Sequence, residues 1–291
     1  MRHWVQAVWV FLTNCYLAGF AAGRIYNGPL KQVCVPGLNC YSCPGALFSC
    51  PIGAMQAVAG SARYHFSLYA GGFLVLVGAA LGRFACGWLC PFGLVQDLIY
   101  KIPGIRRLRG FRGDRVLRWL KYVILAVFVI LMPLVVVDFT GQGMPAFCKY
   151  ICPSGTLMGG IPLVSADPAL RQAAGPLFSW KLFVLIGLLV LGLFVYRPFC
   201  KYLCPLGAVY GACNRVALCH LSWDEQKCIH CGRCYHACKM EVDPTRNAGS
   251  CECIRCGDCV RACPRSALSM GIGMPPRHQK TRATEADGQQ Q

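Results

Sequence analysis

The sequence predicts a membrane α-helical protein, four transmembrane helices in two tandem repeats followed by a small cytoplasmic α+β domain. Three observations predict it: a very apolar composition, four long runs nearly free of charge, and 22 cysteines set in recurring motifs. Of 291 residues, 55% are hydrophobic and 14% charged, and mean hydropathy is +0.44. That balance suits a membrane body with a polar appendage. So many cysteines exceed packing needs and serve as ligands, disulfides or redox thiols. The net charge of +17 gathers between the apolar runs, so topology explains it and no nucleic-acid partner is expected.

The first run lies between Arg2 and Arg24 and the second between Arg63 and Arg83. The third lies between Lys121 and Asp138, the fourth between Lys181 and Arg197. A crossing helix needs about 20 apolar residues, so the first two fit directly. The last two fit if Lys121, Lys181 and Arg197 snorkel. Segment 83–121 carries nine Lys and Arg, whereas 24–63 and 138–181 carry three each. The positive-inside rule therefore places 83–121, the N-terminus and the chain after Arg197 in the cytoplasm. Ala21, Ala22 and Gly23 would suit signal cleavage, but the long apolar stretch favours a retained helix.

Four Cys-Pro-x-Gly units follow the runs, at Cys50, Cys90, Cys152 and Cys204. The last three have a cysteine four residues earlier, at Cys86, Cys148 and Cys200. The chain thus reads as two copies of helix, outer motif, helix, inner motif. Proline after cysteine pre-sets a first helical turn, which turns the thiol toward the positive helix end. Glycine lets the backbone pass close to a bulky group. Two converging pairs, Cys86 with Cys90 and Cys200 with Cys204, read as one inner ligand set.

The tail carries the sharpest signal. Cys228, Cys231, Cys234 and Cys238 follow x2, x2, x3 spacing, and Cys253, Cys256, Cys259 and Cys263 repeat it before Pro264. This is two-cluster bacterial ferredoxin spacing, in which the fourth cysteine of each run serves the other cluster. Cys228, Cys231, Cys234 and Cys263 are then expected to hold one [4Fe–4S] cluster, and Cys238, Cys253, Cys256 and Cys259 the second. The α+β domain is thus a two-cluster ferredoxin-like domain. Gly232 and Gly257 let each loop wrap closely, and His230 and His236 read as polar neighbours that tune potential. Cys15, Cys213 and Cys219 read as small buried side chains, while Cys34 and Cys251 have no assigned role.

With four spans, CxxxCP after the second and fourth, and this tail, the sequence resembles the NapH/MauN group of membrane-bound ferredoxin-type proteins. More distantly it is similar to the polyferredoxin halves of the NosR and CcoG families. The resemblance implies electron transfer, often from the quinone pool, for a reductase or dehydrogenase. It also marks Cys86, Cys90, Cys200, Cys204 and the eight tail cysteines. The outer face departs from that pattern, reading CVPGLNCYSCPGALFSCPIG over 34–53. The repeat pairs Cys43 and Cys50 with Cys148 and Cys152 as an outer set, with Cys40 as substitute. The same cysteines could instead form disulfides in an oxidising space, and Cys40–Cys43 has the spacing of an exchanging thiol pair.

The domains expected are 1–62 with the first span and outer cysteines, 63–121 with the second span and basic loop, and 122–220 with the remaining spans. Residues 221–271 form the ferredoxin domain and 272–291 a disordered tail. The expected function is iron–sulfur electron transfer between quinone or a cytoplasmic donor and a redox partner, rather than stand-alone catalysis. The alternatives are an assembly or regulatory factor that reduces a metal or thiol, or a redox sensor. Haem is not expected, since no run has an interior histidine and no Cys-x-x-Cys-His occurs. His65 and Asp138 at run edges could pass protons, and basic residues from Arg106 to Arg118 could dock an acidic protein or anionic lipid.

Overall fold

The computed structural model describes residues 2–61, 67–104, 107–110, 113–137 and 143–273. The expectations for His65, Asp138, Arg106 and the chain after residue 273 lie outside these residues.

All four Cys-Pro-x-Gly units start helices. Helix α1 is Arg2–Thr13, α2 Leu17–Ala22, α3 Pro51–Gly60, α4 Tyr69–Leu81, α5 Phe84–Trp88 and α6 Pro91–Tyr100. Cys50 precedes α3 and Cys90 precedes α6 as extended N-caps, ψ 129° and 119°. Cys152 and Cys204 take the same role before Pro153 and Pro205, ψ 108° and 111°. Each time the proline occupies the first helical position, where its missing N–H costs nothing.

The first run does not form one continuous span. Its helix stops at Asn14, whose side-chain amide donates to the Val10 carbonyl at 3.0 Å, and the Tyr16 amide turns away to Gly45. Helix α1 buries Arg2, Gln6 and Thr13 while Trp4, Val8 and Phe11 face outward. The second run gives α4, only 13 residues long, ended by Gly82 at φ 54°. Among the described residues, two helices are long and apolar enough to cross a bilayer: Asp114–Val135, 22 residues, and Pro176–Phe194, 19 residues. Both present large apolar side chains outward, such as Val135, Phe183 and Ile186, a surface that water tolerates poorly.

The connection expected on the outer side folds back into the body. A Cβ on Gly37 would stand 2.9 Å from the Leu89 carbonyl and 3.2 Å from the Cys90 Cα. Ser154 Oγ donates to the Leu38 carbonyl at 3.3 Å. Cys86, Cys90, Cys200 and Cys204 consequently share one apolar core with Cys152, and Cys50 and Cys148 pack against it.

The tail closes on itself through β1 (Cys219–Trp223), paired antiparallel with β2 (Leu268–Ile272). The sheet therefore begins and ends slightly outside 221–271. Between the strands lie two short helices, Arg233–Ala237 and Asp258–Ala262.

Candidate metal centres

In the tail, each cysteine run wraps through left-handed backbone at matching places. His230 and Arg255 precede the second cysteine of their runs at φ 50° and 51°, and Gly232 and Gly257 follow it at φ 71° and 78°. Cys228, Cys231, Cys234 and Cys263 line one cavity of about 260 Å³. Cys238, Cys253, Cys256 and Cys259 line a second, smaller one. The amides of Val242 and Ala267 donate to the Cys238 and Cys263 sulfurs at 3.4 and 3.3 Å. Such N–H to sulfur bonds favour the ionised thiolate that a cluster needs. His230 packs its ring against Trp223, and the His236 carbonyl accepts from Arg109.

A second set lies at the base of the tail. Cys86, Cys90, Cys200 and Cys204 are all buried, and Cys204 lies within electrostatic reach of the other three sulfurs. Two fully buried arginines hold this set together by exchange between the halves. Arg83 donates to the Cys200 carbonyl at 3.0 Å, and Arg197 to the Cys86 carbonyl at 2.7 Å. A Cβ on Gly93 would stand 3.2 Å from the Arg197 guanidinium, and one on Gly207 3.4 Å from that of Arg83. The glycines of the inner motifs thus make room for arginine. Both guanidiniums lie in electrostatic reach of the Cys86 and Cys200 sulfurs, where positive charge offsets thiolate. Gln96 completes the set. Its amide nitrogen donates to the Cys200 sulfur at 3.2 Å and its oxygen accepts from the Phe199 amide at 3.1 Å.

The tail is bolted to this set. Arg83 also donates to the Cys251 carbonyl at 2.7 Å and pairs with Glu252 at 2.8 Å, and Lys121 pairs with the same carboxylate. Burial alone would push the Glu252 carboxyl up, but Arg83 and Lys121 outweigh it and hold it below its ordinary value. Asn214 donates to the Ser250 and Cys253 carbonyls at 2.7 and 2.9 Å. Trp88 donates to the Arg255 carbonyl at 3.0 Å. Cys251, without a role in the sequence, offers its backbone here. On the basic loop, Arg109 binds His236 and Arg118 pairs with Glu241. Part of the cationic surface expected to dock a partner therefore clamps the chain's own tail.

On the other side of the core, Cys40 lies in electrostatic reach of Cys50, Cys148 and Cys152. Cys43 instead neighbours Cys40 and Lys31. The structure thus gathers Cys40, not Cys43, with the other three. All 22 cysteines are free thiols, and Cys15 is exposed rather than buried as expected. Cys213 and Cys219 are half-buried and buried. Among the described residues, no three His, Cys, Asp or Glu side chains close on a single ion. A cube presents four separate irons, so its thiolates stand wider apart, and the buried, arginine-flanked inner tetrad fits that donor requirement.

The comparisons agree with this chemistry. A family described as "4Fe-4S binding domain" matches residues 63–109, 123–164 and 177–220, and a second of the same description matches 220–242. The ferredoxin-type protein MauN of methylamine utilization from Methylobacillus flagellatus is 27% identical, over 81% of this chain and 76% of its own. The ferredoxin-type protein NapH of Escherichia coli is 27% identical, over 56% of this chain and 50% of its own. These matches support a NapH/MauN-type 4Fe–4S ferredoxin protein. The putative electron transport protein YccM of Escherichia coli is 27% identical over 58% of this chain and 44% of its own. The chain therefore spans half or less of two of these three relatives. No solved structure matches. The protein binds several [4Fe–4S] clusters and has an iron–sulfur electron-transfer role. Its two apolar helices and its relatives suggest a membrane protein.

Sequence reasoning missed Arg83, Arg197, Gln96, Asn214 and Glu252. One signal was available: an arginine stands three residues before both Cys86 and Cys200.

Proposed function

We propose that this protein carries electrons between the quinone pool or a cytoplasmic donor and a redox partner, at or across a bacterial inner membrane. In this reading Asp114–Val135 and Pro176–Phe194 cross the membrane, the broken first run and the short helix α4 pack beside them, and the N-terminus and ferredoxin domain are cytoplasmic. The tail cysteines hold two clusters as their spacing pairs them, and Cys86, Cys90, Cys200 and Cys204 hold a third. Clusters, when bound, supply one-electron carriers. The chain's own residues fix where these carriers stand and keep water from them. The observation that carries the reading is Arg83, one side chain that touches the carbonyls of Cys200 and Cys251. It fixes the inner set against the loop that bears Cys253, so the two ligand sets move as one body.

The test uses the full chain purified without oxygen in detergent, reduced and mixed with a quinone analogue. Rapid reoxidation that Cys200→Ser abolishes, with the tail clusters still present by electron paramagnetic resonance, supports the reading. Unchanged reoxidation in that variant sinks it. The alternative, a maturation factor that reduces a metal or thiol, draws on Lys31, whose ammonium lies in reach of both Cys40 and Cys43. Fast alkylation of that thiol pair with no effect of quinone would favour it.

A further inference from the structure

We propose that Cys40, Cys50, Cys148 and Cys152 hold a further [4Fe–4S] cluster on the far side of the core, with Gln56 as its positioning residue. The redox role of this centre rests on the electron-transfer reading, whereas its existence as a binding site does not.

The argument starts from a match between two places. Gln56 stands six residues after Cys50, as Gln96 stands six after Cys90. Both are buried. The Gln56 amide nitrogen donates to the Cys148 sulfur at 3.1 Å, and its oxygen accepts from the Phe147 amide at 3.1 Å. Gln96 makes the same two bonds to Cys200 and Phe199. A buried amide spent twice on one cysteine turn is poor use of a core position unless that sulfur carries charge. A neutral thiol is a weak acceptor, whereas a metal-bound thiolate rewards such a donor.

The four sulfurs also converge. The Cys40 and Cys152 sulfurs stand 3.7 and 3.9 Å from where a Cβ on Gly155 would lie, with the Lys181 ammonium 4.0 Å from the same point. Cys148 is in reach of Cys50, Cys40 and Lys181. Four thiols, one cation and an N–H donor make a cluster site of the kind seen at the inner set. Tyr210, fully buried, lies in reach of Cys86 and Cys90 of the inner set and of Cys50 of the outer set. The two centres are therefore close neighbours in one dry core. Between them a single electron is exchanged: one cluster is oxidised as the other is reduced, with no proton or co-reactant.

The test is iron and acid-labile sulfide per chain, on the full-length protein purified without oxygen in detergent. About sixteen irons are expected in the parent, with a loss of about four in Cys40→Ser and in Cys148→Ser and none in Cys43→Ser. Because ligand variants can fail to fold, Gln56→Leu is measured beside them. It should keep its iron and shift the midpoint potential of one cluster, while Gln96→Leu shifts a different one. About twelve irons, unchanged in Cys148→Ser, with a Cys40–Cys43 or Cys50–Cys152 disulfide found by mass spectrometry, would overturn the outer centre. The inner and tail centres would survive that result, so the two readings fail separately. Loss of iron in Cys43→Ser equal to that in Cys40→Ser, or no potential shift in Gln56→Leu, would also overturn it.

Discussion

The inner and outer cysteine sets are built on one plan and secured by different forces. Both use two Cys-Pro helix caps and a glutamine that reaches across to the partner turn. The inner set adds two fully buried arginines, each reaching from one half to a carbonyl of the other. The outer set has Lys181 at its rim instead, and its fourth thiol comes from a loop cysteine. Buried guanidiniums must be paired to be tolerated, so the inner set draws in Asp97 and Glu252 and, through Glu252, the whole tail. Among the described residues the outer set has Lys181 and Lys31 as its cationic neighbours. One plan thus yields a rigid hub on one side and a looser terminus on the other.

The largest effect should come from Arg197, which pairs with Asp97 at 2.6 Å in full burial. Arg197→Leu leaves that carboxylate with Arg2 at 3.0 Å and His3 at 3.9 Å and should cost about 3–5 kcal/mol, read as thermal unfolding in detergent. A cost under about 1 kcal/mol would break the comparison. Next, Gly207→Ala sets a Cβ 3.2 Å from the Cys200 carbonyl, whereas Gly155→Ala meets only contacts of 3.7 Å and longer. The first should destabilise by about 1–3 kcal/mol and the second by much less. Equal costs would mean that the two turns are equally tight. Smaller still, Lys181→Met at the outer rim should cost about 1 kcal/mol or less, since a half-exposed ammonium is well screened.

The pH response sharpens the same contrast. The Glu252 carboxyl is held below its ordinary value of 4.5 by Arg83 and Lys121. A depressed carboxyl contributes fully above its unfolded value and loses that contribution as pH falls through the folded one. Protease release of the tail should therefore stay constant from about pH 8 to 5 and rise only below about 4.5. Glu252→Gln should raise release across the whole range. Release that climbs between pH 7 and 6 would assign the docking to some other group.

What could be read from the sequence was what depends on neighbours in the chain. Proline after cysteine set four helix starts, and two runs of short cysteine spacings set the tail loops, because covalent spacing nearly fixes those geometries. The first run gave no warning of its break, since Asn14 turns the chain by bonding within its own helix while Gly45, far along the sequence, receives Tyr16. Arg83 and Arg197 resembled interfacial charges because their partners, Glu252 and Asp97, lie in distant segments. For the outer set the repeat points to Cys43, whereas Cys40 is the one that packs near Cys50, Cys148 and Cys152, a proximity between distant segments that spacing does not carry.

The exchange of arginines also fixes an order of events during synthesis. Gly93 and Asp97 leave the ribosome about a hundred residues before the Arg197 they are shaped to receive. Until the chain has passed Cys204, the first half carries an open groove and a carboxylate paired with Arg2 and His3 in place of Arg197. Closure of the inner cysteine set is therefore a late step, because it waits on Arg197 and the turn that follows it. A chain halted before Arg197 would therefore present a half-built motif, with buried surface exposed, to whatever degrades unfinished membrane proteins.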